Sequence, residues 1–172
     1  MPRDPDRAAR DRRRRPTGSV ACGSSSIRRM MVLVVGAGRV GAAVAKSSLA
    51  AGHTVSVLDE DPLSHERLDA GQPSSWEDAG GRFTVGTAIE VDALLAAGIE
   101  EADIFIAATR GDNTNILVAQ LAQKRFGVAK VIVRVLDPAR SDWYAAQGLH
   151  TICAVKLGIA MFEEAVAEAA AH

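Results

Sequence analysis

The residues in this chain whose types and spacing could do chemistry are three glycines that follow an apolar run. Gly36, Gly38 and Gly41 have the order G-x-G-x-x-G directly after residues 32–35. In a strand–turn–helix unit, the first glycine permits a tight turn, the second lets the backbone approach a phosphate, and the third lets the helix pack on the strand. The start of that helix would offer unpaired N–H groups and a partial positive charge to an anion. The pattern alone leaves a nucleotide site and a purely structural turn both open.

One carboxylate favours the nucleotide interpretation. The apolar run over residues 54–58 ends in Asp59, about 20 residues beyond the turn, where a ribose 2′-hydroxyl would lie. An acid rather than an arginine there disfavours a 2′-phosphate and therefore NADP. Residues 59–62, Asp-Glu-Asp-Pro, are also typical of a turn before a helix, so a role as a loop-starting acid is the alternative. We favour the ribose contact because strand, turn, helix, strand and acid follow in the expected order.

Six apolar runs alternate with helical patterns, and these elements must position the glycines and the acid. The alternation predicts an α/β fold, a Rossmann-like doubly wound parallel sheet of six strands. Right-handed crossovers and the glycine turn on the first strand predict the order 3-2-1-4-5-6, with a ligand at the carboxyl ends of the strands. The predicted strands are residues 31–35, 54–58, 82–85, 103–108, 130–135 and 150–155, and the predicted helices are residues 39–51, 62–70, 90–97, 112–126, 137–148 and 156–170.

Polar residues at the ends of strands three and five add candidates. Thr87 and Ala88 follow strand three; they could border an adenine ring, and Thr87 could equally be a helix N-cap. Arg134, near the end of strand five, has apolar neighbours. A partly buried arginine needs an anion or backbone carbonyl groups to satisfy it, so a phosphate contact and an ion pair with Asp137 or Asp103 are both open.

The loop after strand four, residues 109–115, has more small polar residues than one helix cap requires. Asp112 or Thr114 could cap the following helix, while Asn115 could face the cleft or a partner. The loop follows the carboxyl end of a central strand, which is where such a sheet binds its ligand.

Composition and charge limit the possible function classes. The length of 172 residues suits one domain with tails, and 48% hydrophobic residues with only 4% aromatic residues predict an aliphatic core. Residues 1–29 contain nine Arg and three Asp, hence +6, whereas the remainder contains 11 Lys and Arg against 18 Asp and Glu, hence −7. An acidic folded part argues against a nucleic-acid-binding core. No apolar run has the length of a membrane span.

Residues 1–29 are expected to be a disordered basic tail, because they are rich in Arg, Asp and Ser and have no periodicity. They could equally be the product of a start codon assigned too far upstream, because Met30 and Met31 lie at the start of the first strand. A basic arm that touches nucleic acid or anionic lipid is the alternative. Cys22 and Cys153 have neither metal-ligand nor disulfide spacing, which predicts ordinary thiols. Trp76, in a polar loop, marks either a contact surface or the edge of the core.

Four segments are similar to those of one protein family. Residues 36–45 (GAGRVGAAVA), 55–62 (VSVLDEDP) and 131–138 (VIVRVLDP) match its pattern, and residues 97–115 (AGIEEADIFIAATRGDNTN) are the most specific. On these segments the chain resembles the Trk/Ktr potassium-uptake regulatory family, in the N-terminal nucleotide-binding RCK domain that is also called KTN or TrkA-N. The similarity covers about residues 31–170.

The resemblance implies a regulatory protein that is not an enzyme. Domains of this family are cytosolic, dimerise, and assemble into rings under a membrane potassium-transporter pore, at the inner face of the plasma membrane. They bind NAD(H) or ATP/ADP in the Rossmann cleft, and ligand exchange changes the ring and gates ion flux. The implied partners are further copies of the chain, the pore subunit and in some systems a companion RCK subunit, with no nucleic acid.

The resemblance also transfers roles to individual residues. Arg39 matches a position from which some members reach an ATP γ-phosphate, and the loop over residues 109–115 matches one near the distal half of the ligand. Many members have Asp where this chain has Thr87, so the adenine contact by a carboxylate is lost. Neither a catalytic residue nor a metal ligand is expected. The candidate cofactor-binding residues are Gly36, Gly38, Arg39, Val40, Gly41, Asp59, Thr87, Ala88, Thr109, Asp112, Asn115 and Arg134.

Full members of the family carry a second, C-terminal RCK lobe. The expected division of this chain is the tail 1–29, the nucleotide-binding domain 30–155, and a crossover helix 156–172 without a second lobe. We therefore expect either a companion subunit that supplies the lobe or a truncated product.

Two other functions remain as alternatives. An NAD-dependent oxidoreductase fragment would need acid–base groups at the strand ends, but Tyr144 has Gly148 rather than Lys four residues later, and no histidine is predicted at those ends. A DNA-binding redox sensor has only the arginine-rich tail in its favour, since the folded part is acidic and has no helix-turn-helix pattern.

Overall fold

A computed structural model describes residues 28–170 as one parallel sheet with helices on both faces. The six strands have the order β3-β2-β1-β4-β5-β6, which confirms the predicted topology. They are β1 (Met31–Val35), β2 (Thr54–Asp59), β3 (Arg82–Val85), β4 (Ile104–Ala107), β5 (Lys130–Arg134) and β6 (His150–Ile152). The expected tail lies outside the described residues except for its last two positions.

The helices follow the strands in strict alternation. They are α1 (Arg39–Ala50), α2 (Glu66–Asp69), α3 (Val91–Ala96), α4 (Asp112–Lys124), α5 (Pro138–Ala146) and α6 (Ala154–Ala170), with 3-10 turns at Pro62–His65 and Ile99–Glu101. Most predicted boundaries agree within two residues, which is the ordinary uncertainty at frayed ends. In residues 28–170 no helix combines the length and the apolar character needed to cross a membrane.

The central strand β1 is buried on both faces, as parallel sheets require. Because side chains alternate along a strand, Val32 and Val34 lie in the core under α1, together with Leu68 and Trp76. Leu33 lies in the opposite core, under α3 and α4. The register pairs Val35 with Leu58 on one side and with Ala107 on the other, so these three strands end at the same level.

Trp76 belongs to the core and is not a contact surface. It is 1% exposed, its backbone N–H donates to Asp69 Oδ1 at 2.8 Å, and a Cβ on Gly81 would lie 2.2 Å from its ring. The loop between α2 and β3 is therefore closed over a tryptophan that fills the space beside β2 and β3.

The predicted sixth strand was too long. Only three of its residues pair with β5, the last pair being Arg134 with Ile152. Cys153 follows the strand: the N–H of Leu157 donates to its carbonyl at 3.1 Å, so helix geometry begins there. Its buried thiol donates to the carbonyl of Leu136 at 3.3 Å. An apolar sequence does not distinguish an edge strand from the first turn of a helix.

Helix α6 leaves the sheet with its apolar residues uncovered. None of its residues is buried within the described part of the chain, and Phe162, Met161 and Val166 are 78%, 71% and 69% exposed. A long apolar helix face of this kind is typical of a surface that another element covers.

Candidate functional site

The glycine turn after β1 is fixed by sterics at its first position. Gly36 has φ 99°, a left-handed conformation that disfavours any side chain. A Cβ there would lie 2.8 Å from the backbone nitrogen of Thr109, and the N–H of Gly36 donates to the carbonyl of Leu58 at 2.8 Å. The turn therefore contacts the end of β2 on one side and the residue that follows β4 on the other.

The second and third glycines have different environments. A Cβ on Gly41 would lie 1.8 Å from the carbonyl oxygen of Gly36, so α1 packs directly on the turn. A Cβ on Gly38 would meet nothing within 4 Å. The fold therefore requires glycine at position 41 but not at position 38, where a side chain would only narrow the space in front of α1.

The start of α1 is suited to an anion. Gly38 is the N-cap and provides no side-chain hydrogen bond, and the first turn has no acid. Arg39 and Val40 are exposed beside it. The first N–H groups of a helix have no partner within the helix, so this end presents donors and positive potential to the space beyond the turn.

Asp59 joins the end of β2 to the glycine turn. Its Oδ2 accepts from the N–H of Ala37 at 2.6 Å, and its Oδ1 accepts from the N–H of Asp61 at 2.9 Å. The alternative role as a loop-starting acid is thus present in the structure. Each carboxylate oxygen has a second acceptor site, and the half-buried side chain also lines the cleft, so a ribose contact remains compatible with this role.

A cleft of about 910 Å³ opens above the carboxyl ends of β1 to β5. Its volume is within the range of small-molecule sites. Nine of the twelve sequence candidates line it: Gly36, Gly38, Arg39, Val40, Asp59, Thr87, Ala88, Thr109 and Arg134. Gly41, Asp112 and Asn115 do not. Lining residues outside the candidate set include Ser64, Arg67, Ile89, Arg110 and Thr114. Ile89, Arg110 and Thr114 follow the carboxyl end of a strand, so their place in the sequence could have identified them as lining residues. Nothing in the sequence pattern points to Ser64 and Arg67.

Asn115 faces neither the cleft nor a partner, contrary to the sequence prediction. It is 0% exposed. Its Oδ1 accepts from the N–H and the hydroxyl of Thr109 at 2.9 and 2.7 Å, and its Nδ2 donates to the carbonyls of Thr109 and Arg134 at 3.1 and 3.0 Å. These four bonds hold the loop after β4 against the end of β5.

Asp112 and Thr87 also differ from their predicted capping roles. The N-cap of α4 is Gly111, without a side chain, whereas Asp112 accepts from the N–H groups of Leu136 and Asp137 at 2.9 and 3.1 Å. The N-cap of α3 is Glu90, whose N–H donates to the carbonyl of Thr87 at 3.0 Å. Asp112 thus ties two loops together, and the Thr87 hydroxyl is not used as a helix cap.

Arg134 makes neither of the ion pairs proposed from the sequence. Its Nη1 donates to the carbonyl of Thr109 at 2.9 Å, and its Nε is buried without a hydrogen-bond partner among the described residues. Asp103 instead accepts from the N–H of Met31 at 2.8 Å, and Asp137 accepts from the N–H of Arg140 at 2.9 Å. The carbonyl partner considered from the sequence is therefore the one found.

A cluster of His65, Asp69 and Glu77, which was not a candidate from the sequence, lies behind the part of the cleft lined by Ser64 and Arg67. His65 Nε2 lies 2.8 and 3.0 Å from the two carboxylate oxygens of Glu77, and its Nδ1 lies 3.3 Å from Asp69 Oδ2. Within residues 28–170 this is the one His/carboxylate group whose ligand atoms are close enough to share a metal ion. Both ring nitrogens already face carboxylates, and the group fixes the segment that carries Ser64 and Arg67.

Known proteins with a similar sequence or structure have the same architecture, and a family model matches most of the chain. The model of the TrkA-N domain family matches residues 32–154. The Trk system potassium uptake protein TrkA of Streptomyces coelicolor is 42% identical over 127 residues, which are 74% of this chain and 54% of that protein. The chain thus spans about half the length of this curated relative.

Solved structures extend the likeness. The C-terminal domain of Kef from Shewanella denitrificans, in its AMP-bound form, has a TM-score of 0.60 and 25% identity over 81% of this chain and 87% of that one. The RCK domain of GsuK has a TM-score of 0.65 and 18% identity over 81% of this chain and 28% of that one, which is a likeness of fold. With the glycine turn, the sheet order and the family match together, the chain belongs to the TrkA-N family, the N-terminal RCK domain of Trk/Ktr potassium-uptake regulators.

Proposed function

We propose that this chain is the nucleotide-binding part of a regulatory subunit of a Trk/Ktr-type potassium uptake system. The observation that carries the proposal is the cleft of about 910 Å³, which has an uncapped helix start at its centre and the Asp59 carboxylate at its side. In a TrkA-N domain, this arrangement supports binding of NAD(H) or ATP/ADP rather than NADP, because an acid next to the ribose disfavours a 2′-phosphate.

The three parts of an adenine nucleotide have matching surroundings in this proposal. The diphosphate lies at the start of α1, where Gly38 leaves room for it. The ribose hydroxyls donate to Asp59, whose oxygens keep acceptor capacity beyond their two backbone bonds. The adenine lies against Thr87, Ala88 and the exposed Ile89, all of which line the cleft.

The proposed role is regulatory and not catalytic. Proton transfer needs a positioned acid or base, most often His, Asp, Glu, Lys, Tyr or Cys. The lining residues include no His, Lys, Tyr or Cys. Of the three lining acids, Asp59 accepts backbone bonds at both carboxylate oxygens, Asp61 accepts from the N–H of Leu63, and Glu60 is exposed to solvent. The oxidoreductase alternative therefore finds no support in the described part of the cleft.

A nucleotide can control a pore only by differential affinity. If the nucleotide binds one arrangement of the assembled domains better than another, it shifts the equilibrium between these two arrangements. The shift in free energy cannot exceed the difference between its binding free energies for the two arrangements. The exposed apolar face of α6 supports association with a second copy of the chain in a dimer or ring. That assembly would in turn contact a membrane pore subunit or a companion RCK subunit. The proposed location is the cytoplasmic face of the plasma membrane, reached through that partner.

The test is calorimetric and thermal titration of the purified protein with ATP, ADP, AMP, NAD⁺, NADH and NADPH. We expect adenine nucleotides to raise the unfolding temperature progressively, because a ligand at 100 times its Kd stabilises the native state by about 2.7 kcal/mol. NADPH should have little effect. If no adenine nucleotide binds at millimolar concentration, the proposed function is wrong.

A further inference from the structure

The cluster of His65, Asp69 and Glu77 brings together side chains of the types that bind transition metals. One ring nitrogen of the histidine and one carboxylate oxygen from each acid lie within 4.8 Å of one another. Neighbouring ligand atoms at 2.0–2.2 Å from a zinc ion lie roughly 2.8–3.6 Å apart in tetrahedral or octahedral geometry. The three side chains would therefore need to move by only about 1 Å to bind one ion.

Within residues 28–170, neither carboxylate of the cluster is paired with an arginine or a lysine. The ion pairs of Asp69 and Glu77 both involve His65, at 3.3 Å from Nδ1 and at 2.8 Å from Nε2. Lys46 donates instead to two backbone carbonyls at the end of α2, both at 2.9 Å. Two carboxylates this close repel each other unless a cation lies between them, and a divalent ion would neutralise both.

Contacts outside the cluster already orient two of its members. Oδ1 of Asp69 accepts from the backbone N–H of Trp76 at 2.8 Å, which leaves Oδ2 on the side of the histidine. The imidazole of His65 packs edge-to-face on Phe83, with 5.2 Å between the ring centroids. Outer contacts of this kind hold the ligands of metal sites in place. The side chain of Glu77 is 53% exposed and can adjust to an ion.

The cluster joins two segments of the chain. His65 and Asp69 are four residues apart, where the 3-10 turn continues into α2, so they lie on the same side of it. Glu77 belongs to the loop between α2 and β3, 12 residues beyond the histidine. An ion bound by all three would therefore hold this loop against α2. The same segment carries Ser64 and Arg67, which line the cleft.

We propose that His65, Asp69 and Glu77 form a binding site for one divalent transition-metal ion of the first row, with Zn²⁺ as its representative. An imidazole nitrogen suits such ions and disfavours Mg²⁺ and Ca²⁺, whose ligands are oxygens. The side chains are 28%, 41% and 53% exposed, so the ion has an entry path and water can complete its coordination. Coordination replaces the hydrogen bond at one ring nitrogen, because a metal-bound nitrogen carries no proton. None of the three residues lines the nucleotide cleft, and the proposal is independent of nucleotide binding.

The experiment titrates the purified full chain with Zn²⁺ by calorimetry, without nucleotide, and repeats the titration with Glu77→Gln and His65→Gln. We expect the parent protein to bind one equivalent of Zn²⁺ that both variants bind about tenfold or more weakly, because loss of even an outer partner of a metal ligand typically costs 10–100-fold in affinity. Zn²⁺ should raise the unfolding temperature of the parent protein and not that of the variants. Mg²⁺ in tenfold excess should not displace it.

Two matched controls test whether the effect belongs to the cluster. His150→Gln removes an exposed histidine elsewhere in the fold, and Asp78→Asn removes the exposed acid next to Glu77, which is not a member of the cluster. Neither should change the Zn²⁺ affinity. If His65→Gln does not fold because its packing on Phe83 is lost, Glu77→Gln still tests the site, since it changes only an exposed loop residue.

Three results would overturn the metal site. The first is a parent protein that binds no Zn²⁺ below millimolar concentration, which would leave the cluster as a set of ion pairs. The second is a Zn²⁺ affinity that is unchanged in either folded variant or is lowered equally in the controls, which would place the ion elsewhere. The third is equal affinity for Mg²⁺ and Zn²⁺, which would contradict coordination by the imidazole. None of these results would contradict the proposed nucleotide-binding function, which has its own titration.

Discussion

The Asp59 carboxylate accepts a hydrogen bond of 2.6 Å from the N–H of Ala37, so the end of β2 is tied directly to the glycine turn after β1. A second bond, of 2.9 Å from the N–H of Asp61, fixes the other oxygen. The residue proposed to hold the ribose is thus also a structural link between two strands. Stability and nucleotide affinity should both depend on it, and they can be measured separately.

Asp59→Asn should separate these two roles. The amide keeps one acceptor oxygen but loses the charge and one backbone bond, so we expect the free energy of unfolding to fall by about 1–2 kcal/mol. Nucleotide Kd values should rise about tenfold or more, because the ribose hydroxyls lose a charged acceptor. Urea unfolding and calorimetry measure the two effects. Glu100→Gln, at an exposed acid that does not line the cleft, is the control and should change neither. A stability loss with unchanged affinity would show that Asp59 does not contact the ribose.

Two glycine substitutions should have opposite consequences. In Gly41→Ala the new methyl would lie 1.8 Å from the carbonyl of Gly36, and we expect a loss of about 3 kcal/mol or more, since overpacking by itself costs about 1–3 kcal/mol. Gly38→Val meets open space and should fold with a stability loss of only about 1 kcal/mol, because valine is a poorer N-cap than glycine, while losing nucleotide affinity. Thermal unfolding with and without ADP distinguishes them. Retained ADP affinity in Gly38→Val would contradict a phosphate position in front of α1.

Asn115→Leu should destabilise the loop after β4. The N–H and hydroxyl of Thr109 and the carbonyl of Arg134 would lose their bond to Asn115, while the carbonyl of Thr109 would keep only its bond from Arg134. Each buried polar group left unsatisfied costs about 1–3 kcal/mol, so a total of at least about 3 kcal/mol is expected from urea unfolding. The matched control is Gln123→Leu, on the exposed face of the same helix, which should stay within about 0.5 kcal/mol. Equal stabilities of the two variants would contradict the structural role of Asn115.

The apolar face of α6 should mediate self-association. Phe162 and Val166 are four residues apart and share one helix face, and they are 78% and 69% exposed. We expect the parent protein to sediment as a dimer or larger species and Phe162→Glu/Val166→Glu to sediment as a monomer with an unchanged circular dichroism spectrum. Glu164→Gln, an exposed position on the same helix, should leave the oligomer intact. A monomeric parent protein at tens of micromolar would contradict this prediction.

The sequence determined the features that depend on local pattern. Alternating apolar and helical segments determined the six-strand order, because right-handed crossovers leave few topologies for such an alternation. The spacing of Gly36, Gly38 and Gly41 and the position of Asp59 at a strand end determined where the cleft would open. The segments shared with the family determined its membership, which the comparison confirmed.

Only the tertiary structure decided how the polar residues after β4 and β5 are used. From the sequence, Asn115, Asp112 and Arg134 were equivalent candidates for the cleft. In the fold, Asn115 is fully buried, Asp112 binds the loop before α5, and Arg134 lines the cleft. Their partners are 6 to 25 residues away along the chain. A periodicity pattern records which face of an element is apolar, whereas the partner of a polar group depends on which strands become neighbours, and this is established only when the sheet forms.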